Sequence, residues 1–150
     1  MSAETAPRVV VGVDGSAESL AALRWAAKYA AATGATVSAL LSWHYPAAVG
    51  TAPVGHAPKE ISGQVRMEMQ ETLDKAVTEV FGSPQPSGVR AEVVYGHPAN
   101  TLVEASEHAD LLVVGNRGHG AFRGMLVGSV SIHCVTNAVC PVVVVRGEDS

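Results

Sequence analysis

Leu111-Leu112-Val113-Val114-Gly115-Asn116-Arg117-Gly118 is the stretch from which the rest of the chain is read. Four apolar residues run straight into a glycine-bracketed turn. After nine intervening residues Gly118 is followed by Gly128-Ser129, and Val130 to Ala138 can form a helix. A short run apolar at every position predicts a strand buried on both faces. Strand, glycine loop and helix start together form an arrangement in which backbone N–H groups converge on an anion, with the helix dipole adding to the attraction. Glycine lets the backbone come close to phosphate oxygens and accepts φ > 0. Ser129 is expected at the N-cap, its hydroxyl available. The stretch therefore predicts a phosphate cradle. The competing view is a loop that only turns the chain. No lysine precedes Ser129 and no GxGxxG follows the first strand, so neither the Walker A loop nor the usual dinucleotide fingerprint is present.

Outward from this stretch, strands and helices alternate. Arg8 to Val13 is an apolar run ending in Asp14-Gly15-Ser16. Ser16 can cap a helix from Ala17 to about Thr33, with Glu18 in its first turn, Gly34 as its stop, and Leu20, Leu23 and Ala27 on one face. Thr36 to Trp43 reads as the second strand, and His44 to Pro58, rich in Pro, Gly and Ala, as a mobile loop. Ile61, Val65, Met69, Leu73, Val77 and Val80 recur at helical spacing. Val89 to Tyr95 alternates as a third strand, Pro98 opens a helix to about His108, and Val142 to Val145 is the fifth strand. These strands are too apolar for a wet face. The pattern predicts an α/β fold: one five-stranded parallel sheet with helices on both faces. Pro141 and the four valines after it resemble an uncovered edge that could pair with another molecule, or else an interior strand.

The totals agree. A chain of 150 residues, 47% hydrophobic and 16% charged, suits one domain with a sizeable core and not a disordered segment. Residues 1–7 are expected to be a flexible lead-in to a domain over 8–147. A net charge of -4 with scattered Lys and Arg argues against nucleic acid and against a membrane surface. The N-terminal residues lack a cationic start and an apolar core, which predicts no signal peptide. With no apolar run near the ~20 residues a bilayer span needs, a cytoplasmic location is expected. Cys134 and Cys140 match neither a zinc nor a CxxC spacing and are expected to be reduced, with Cys140 buried. Met67, Met69 and Met125 read as packing residues or loop anchors.

Ligands of open α/β sheets settle beyond the carboxyl ends of the strands, where strand order reverses. With the order 3-2-1-4-5, strands one and four are neighbours there, and Asp14 meets the Gly115–Gly128 loop. A carboxylate beside such a cradle suits ribose hydroxyls or a divalent cation; alone it suits a turn.

Val11-Gly12-Val13-Asp14-Gly15-Ser16, Gly96-His97-Pro98-Ala99, the G-x2-G-x9-G-[ST] spacing and Cys140-Pro141-Val142-Val143-Val144-Val145 together resemble the universal stress protein family. The likeness runs from Arg8 to Arg146, and the glycine spacing resembles its ATP-binding branch. The resemblance implies ATP as ligand, with Mg2+ carried on the phosphates. It implies Asp14 at the ribose, Gly12 and Val13 lining the adenosine pocket, and the Trp43 backbone at adenine. Trp43 is larger than the aliphatic residue often found there. Gly115 is implied near the ribose and α-phosphate. Gly118, Gly128, Ser129 and Val130 are implied at the phosphate chain, followed by Ser131, with Arg117 and His119 able to add positive charge. The family likeness also implies a homodimer through strand 142–145 and a role in stress or dormancy responses. Cyclic AMP or another adenine nucleotide would use the same pocket, and a nucleotide-free interaction module remains a rival.

Catalysis is not expected beyond slow ATP hydrolysis. Phosphoryl transfer needs a group that orients the nucleophile, and none can be named. The histidines at 44, 56, 97, 108, 119 and 133 have no paired ligand spacing, so no protein metal site is predicted.

Overall fold

The computed structural model describes residues 6–44, 59–117 and 128–147. Its elements alternate as β1 (Arg8–Gly12), α1 (Ala17–Thr33), β2 (Thr36–Trp43), α2 (Lys59–Phe81), β3 (Val89–Tyr95), α3 (Pro98–Ser106), β4 (Leu111–Gly115), α4 (Ser129–Asn137) and β5 (Val142–Val145). The strands form a single five-stranded parallel sheet in the order β3-β2-β1-β4-β5, as the sequence predicts. Pro7 extends the β1–β2 ladder, its carbonyl accepting from the Thr36 N–H at 2.8 Å.

Side chains on successive strand residues point to opposite faces, and the core is divided accordingly. Val9, Val11, Val37, Leu41, Val93 and Val113 pack under α1 and α2 with Leu23, Leu73 and Val77. Val10, Leu40, Leu112 and Val114 pack on the other side with Leu102 of α3 and Cys134 of α4. Burying one such leucine contributes roughly 2 kcal/mol. β1 and β4 are central, which is why their three- and four-residue apolar runs carry no polar face.

β3 departs from the expectation that no strand has a wet face. It is the far edge of the sheet, and Arg90, Glu92 and Tyr95 are exposed on it. β5 occupies the opposite edge, so the edge reading of the valine run is the correct one.

Ser16 caps α1 by accepting from the Ser19 N–H at 3.1 Å, and Gly34 ends the helix in the left-handed region at φ 78°. The buried stripe of α1 is Ser19, Ala22, Leu23 and Ala26, not the predicted Leu20, Leu23 and Ala27. Small residues on that stripe let the helix sit close to the sheet, which leaves Leu20 and Ala27 at its margins. α3 ends two residues before His108 because the chain tightens: Glu107, His108 and Ala109 each donate three residues back. Ser106 fastens that end, its hydroxyl donating to the Val103 carbonyl and accepting from the Val139 N–H at 3.0 Å.

Other expectations need correction. Met67 is exposed, whereas Met69 does lie against the core. Cys140 is half-buried, because it stands at the entry to an edge strand, and Cys134 is the buried thiol. The predicted loop 44–58 lies outside the described residues except for His44, as does Met125. Among the described residues no helix is long and apolar enough to cross a membrane.

Candidate functional site

The parallel register brings two loops to one level. Val11 pairs with Val113, so Asp14 and Asn116, each three residues further on, leave adjacent strands side by side at the reversal of strand order.

The loop after β1 is built from its own polar groups. Val13 is buried and its N–H donates to the Leu40 carbonyl at 2.9 Å. Asp14 is exposed; its Oδ1 accepts from the Ser16 N–H at 2.9 Å, and its own N–H donates to Ser19 Oγ at 3.2 Å. Gly15 between them holds φ 87°, a conformation that favours glycine. Asp14 is thus a turn aspartate fixed by α1, and the same turn holds its carboxylate at the rim. Gly12 has a packing reason for being glycine: a Cβ there would stand 2.9 Å from Leu102 Cδ1.

The loop after β4 is closed at its neck. Asn116 is buried; its N–H donates to the Val145 carbonyl at 2.8 Å, its side-chain oxygen accepts from the Gly147 N–H at 3.4 Å, and its carbonyl accepts from the Gly128 N–H. Ser131 is buried and its hydroxyl donates to the Gly115 carbonyl. These bonds fix the end of β4, the end of β5 and the start of α4 to one another. Gly115 is itself pressed against α1, since a Cβ there would meet the Glu18 carbonyl carbon and oxygen at 2.8 Å. Gly118 and His119 lie outside the described residues.

α4 begins differently from the other capped helices. Ser16 and His97 cap α1 and α3 with side chains. At α4 the N-cap is Gly128, extended at φ -80° and ψ 170°, and it supplies no side-chain cap. Ser129 is the first helical residue, not the predicted cap, because Gly128 already takes the extended cap conformation. The amides of Ser129, Val130 and Ser131 therefore open the helix without an N-cap side chain over them, at the end where the dipole is positive.

Arg117 does not stand alone at the cradle. Its Nη2 lies 3.2 Å from Glu18 Oε2, with both side chains 20% exposed. Trp43 is also engaged. Its side chain is buried on the α1–α2 side, edge-to-face with Tyr95 at 4.8 Å, and its carbonyl accepts from the Gly96 N–H at 2.8 Å. The indole thus fills the core at the end of β2.

The structure brings Gly12, Val13, Asp14, Gly115, Arg117, Gly128, Ser129, Val130 and Ser131 to one rim, with Trp43 at the end of the next strand. Sequence reasoning missed Asn116 as the pin of the neck, and Glu18 as the partner of Arg117. Glu18 was visible only as a first-turn acid. A pairing of rings at the β2–β3 end, His44 with His97 at 4.9 Å, was also not foreseen; His97 Nδ1 accepts from the Ala99 N–H at 3.2 Å.

Neither thiol is prepared as a nucleophile. Burial pushes Cys134 from 9.0 up to about 11. Burial also raises Cys140, with the Asp110 charge adding and a backbone hydrogen bond opposing. Among the described residues no cluster of three or more His, Cys, Asp or Glu could hold a metal ion.

The model of the universal stress protein family matches residues 6–146. A universal stress protein of Mycolicibacterium smegmatis is 37% identical over 148 residues, covering 94% of this chain and 48% of that protein. The chain spans about half the length of that relative. A universal stress protein solved in complex with cAMP shares 29% identity at a TM-score of 0.59, covering 95% of this chain and 98% of that one. The universal stress protein UspA from Lactobacillus plantarum is similar in fold, with a TM-score of 0.68 at 24% identity, covering 93% of this chain and 97% of its own. With the family match running almost from end to end and the sheet order the same as the motifs predict, the chain belongs to the universal stress protein family.

Proposed function

We propose that this chain binds an adenine nucleotide at the β1–β4 rim and acts as a nucleotide-dependent regulator. The observation that carries the proposal is the start of α4, where Gly128 leaves the amides of Ser129, Val130 and Ser131 without an N-cap side chain, beside a fixed carboxylate at Asp14. Amides at a positive helix end favour a phosphate group, and a carboxylate favours ribose hydroxyls. A relative 29% identical to this chain was solved with cAMP, which supports the same class of ligand. ATP is the proposed ligand, on the G-x2-G-x9-G-[ST] spacing. Mg2+ would arrive bound to its phosphates, because phosphate oxygens favour hard cations. The chain's own contribution is to hold and orient: Gly115 and Asn116 set the neck, α4 offers its amides, and Asp14 takes the sugar.

Hydrolysis is proposed to be slow or absent. The protein is proposed to work in the cytoplasm, as a homodimer in which the β5 edges meet. Cyclic AMP is the second candidate ligand.

The test is equilibrium binding of ATP, AMP and cAMP to the purified chain, alongside identification of any nucleotide that co-purifies. Micromolar binding of at least one of them is expected. No binding of any would reject the proposal. A phosphate-release turnover near ~1 s⁻¹, the low end of ordinary enzymes, would reject the regulatory role in favour of an enzyme.

A further inference from the structure

Glu18 and Arg117 stand 99 positions apart in the chain and are joined by architecture. Gly115, with no side chain, lets the first turn of α1 rest on the end of β4. That contact fixes the Glu18 backbone, and Arg117 two residues beyond Gly115 falls within ion-pair reach at 3.2 Å. The pair is only 20% exposed on each side, so it is less screened than a surface contact. Arg117 follows directly on Asn116, whose carbonyl holds the N–H of Gly128, the N-cap of α4.

From this placement we infer that Glu18 is an affinity- and specificity-determining residue of the nucleotide site: an internal counter-ion that occupies Arg117 and must be displaced before Arg117 meets phosphate. The inference rests on the proposed nucleotide site. A polyphosphate and the Glu18 carboxylate compete for one guanidinium. The ligand therefore forfeits part of the attraction that Arg117 would otherwise give it. The forfeit grows with the charge that the ligand brings to Arg117, so it falls harder on a triphosphate than on a monophosphate. Glu18 thereby narrows the preference for ATP over AMP. By linkage, a bound polyphosphate releases Glu18 from Arg117, which changes the surface at the first turn of α1.

Calorimetric titration of Mg-ATP and of AMP into the wild type, Glu18→Gln, Arg117→Ala and the double variant tests this. Glu18→Gln is expected to bind Mg-ATP about three- to tenfold tighter, the scale of one partly buried ion pair, with a smaller gain for AMP. In the Arg117→Ala background the gain should vanish, because the carboxylate then has no guanidinium to withhold. Glu18→Asp keeps the acidic first turn but shortens the reach, and should also gain affinity for Mg-ATP. Unchanged affinity in both Glu18 variants, or a gain that persists without Arg117, overturns the inference while leaving the nucleotide site intact. Absence of binding by the wild type and every variant overturns the nucleotide site and the inference together.

Discussion

Asp14 serves two demands with one side chain. Its Oδ1 accepts from the Ser16 N–H and so shapes the turn, while the residue stays exposed at the rim. Asparagine can make the same turn bond without the charge. Asp14→Asn should therefore fold with wild-type thermal stability and bind nucleotide about tenfold or more weakly, the scale of a lost charged hydrogen bond, as read by titration. Equal affinity would remove Asp14 from the site. Cys134 gives a second prediction. Its folded value of about 11 lies above the ordinary 9.0, so the folded state holds the thiol proton more tightly. The resulting stability is fully present below pH 9 and is lost as pH rises through about 11. Urea midpoints should fall across that window, and less in Cys134→Ala. At pH 8, alkylation should mark Cys140 before Cys134, which is buried.

At the scale of elements, legibility tracked how local the cause was. Ser16, Gly34 and Pro98 announce helix ends through bonds within a few residues, and each end was readable. The neck of the cradle was not. Asn116, Ser131 and the Glu18–Arg117 pair depend on which strands become neighbours, and a sequence carries no local trace of a partner 99 positions away. Gly115 illustrates the difference. It was expected to be glycine for the sake of phosphate, and the structure supplies an independent reason in the Glu18 backbone. Gly115→Ala should destabilise the fold by about 1–3 kcal/mol through overpacking, measured by urea unfolding with no ligand present. Unaltered stability would mean that α1 shifts without cost. Ser106→Ala should cost about 1 kcal/mol or more, because the Val139 N–H loses its acceptor.

The pattern of β5 alone left its edge and interior readings open; across the whole molecule, the family was legible from its motifs, and the sheet order because right-handed crossovers leave few arrangements of an alternating chain. The direction in which β5 presents its backbone was not. The Pro141 carbonyl accepts from Leu112 and the Val145 carbonyl from Asn116, so the odd-numbered residues of β5 face β4. By the period of two, Val142 and Val144 turn their N–H groups outward. Val144→Pro should thus leave the β4–β5 ladder in place and remove a donor that a second chain would need. If the proposed homodimer pairs through this edge, the variant should elute as a monomer in size-exclusion chromatography with an unchanged melting temperature. Persistence of the dimer would move the interface elsewhere, for instance to the exposed Ile132, Val135 and Val139.

The middle position of β1 has a consequence for synthesis. This strand precedes every other described strand, yet one of its two flanks is covered by β4, whose register partners lie about a hundred residues downstream. While a ribosome is still making the intervening segment, β1, β2 and β3 can already line up, and β1 then shows a bare, valine-rich margin to solvent. Translation arrested before Leu111 should yield nascent chains that recruit holdase chaperones or clump, and release past Val145 should abolish that tendency.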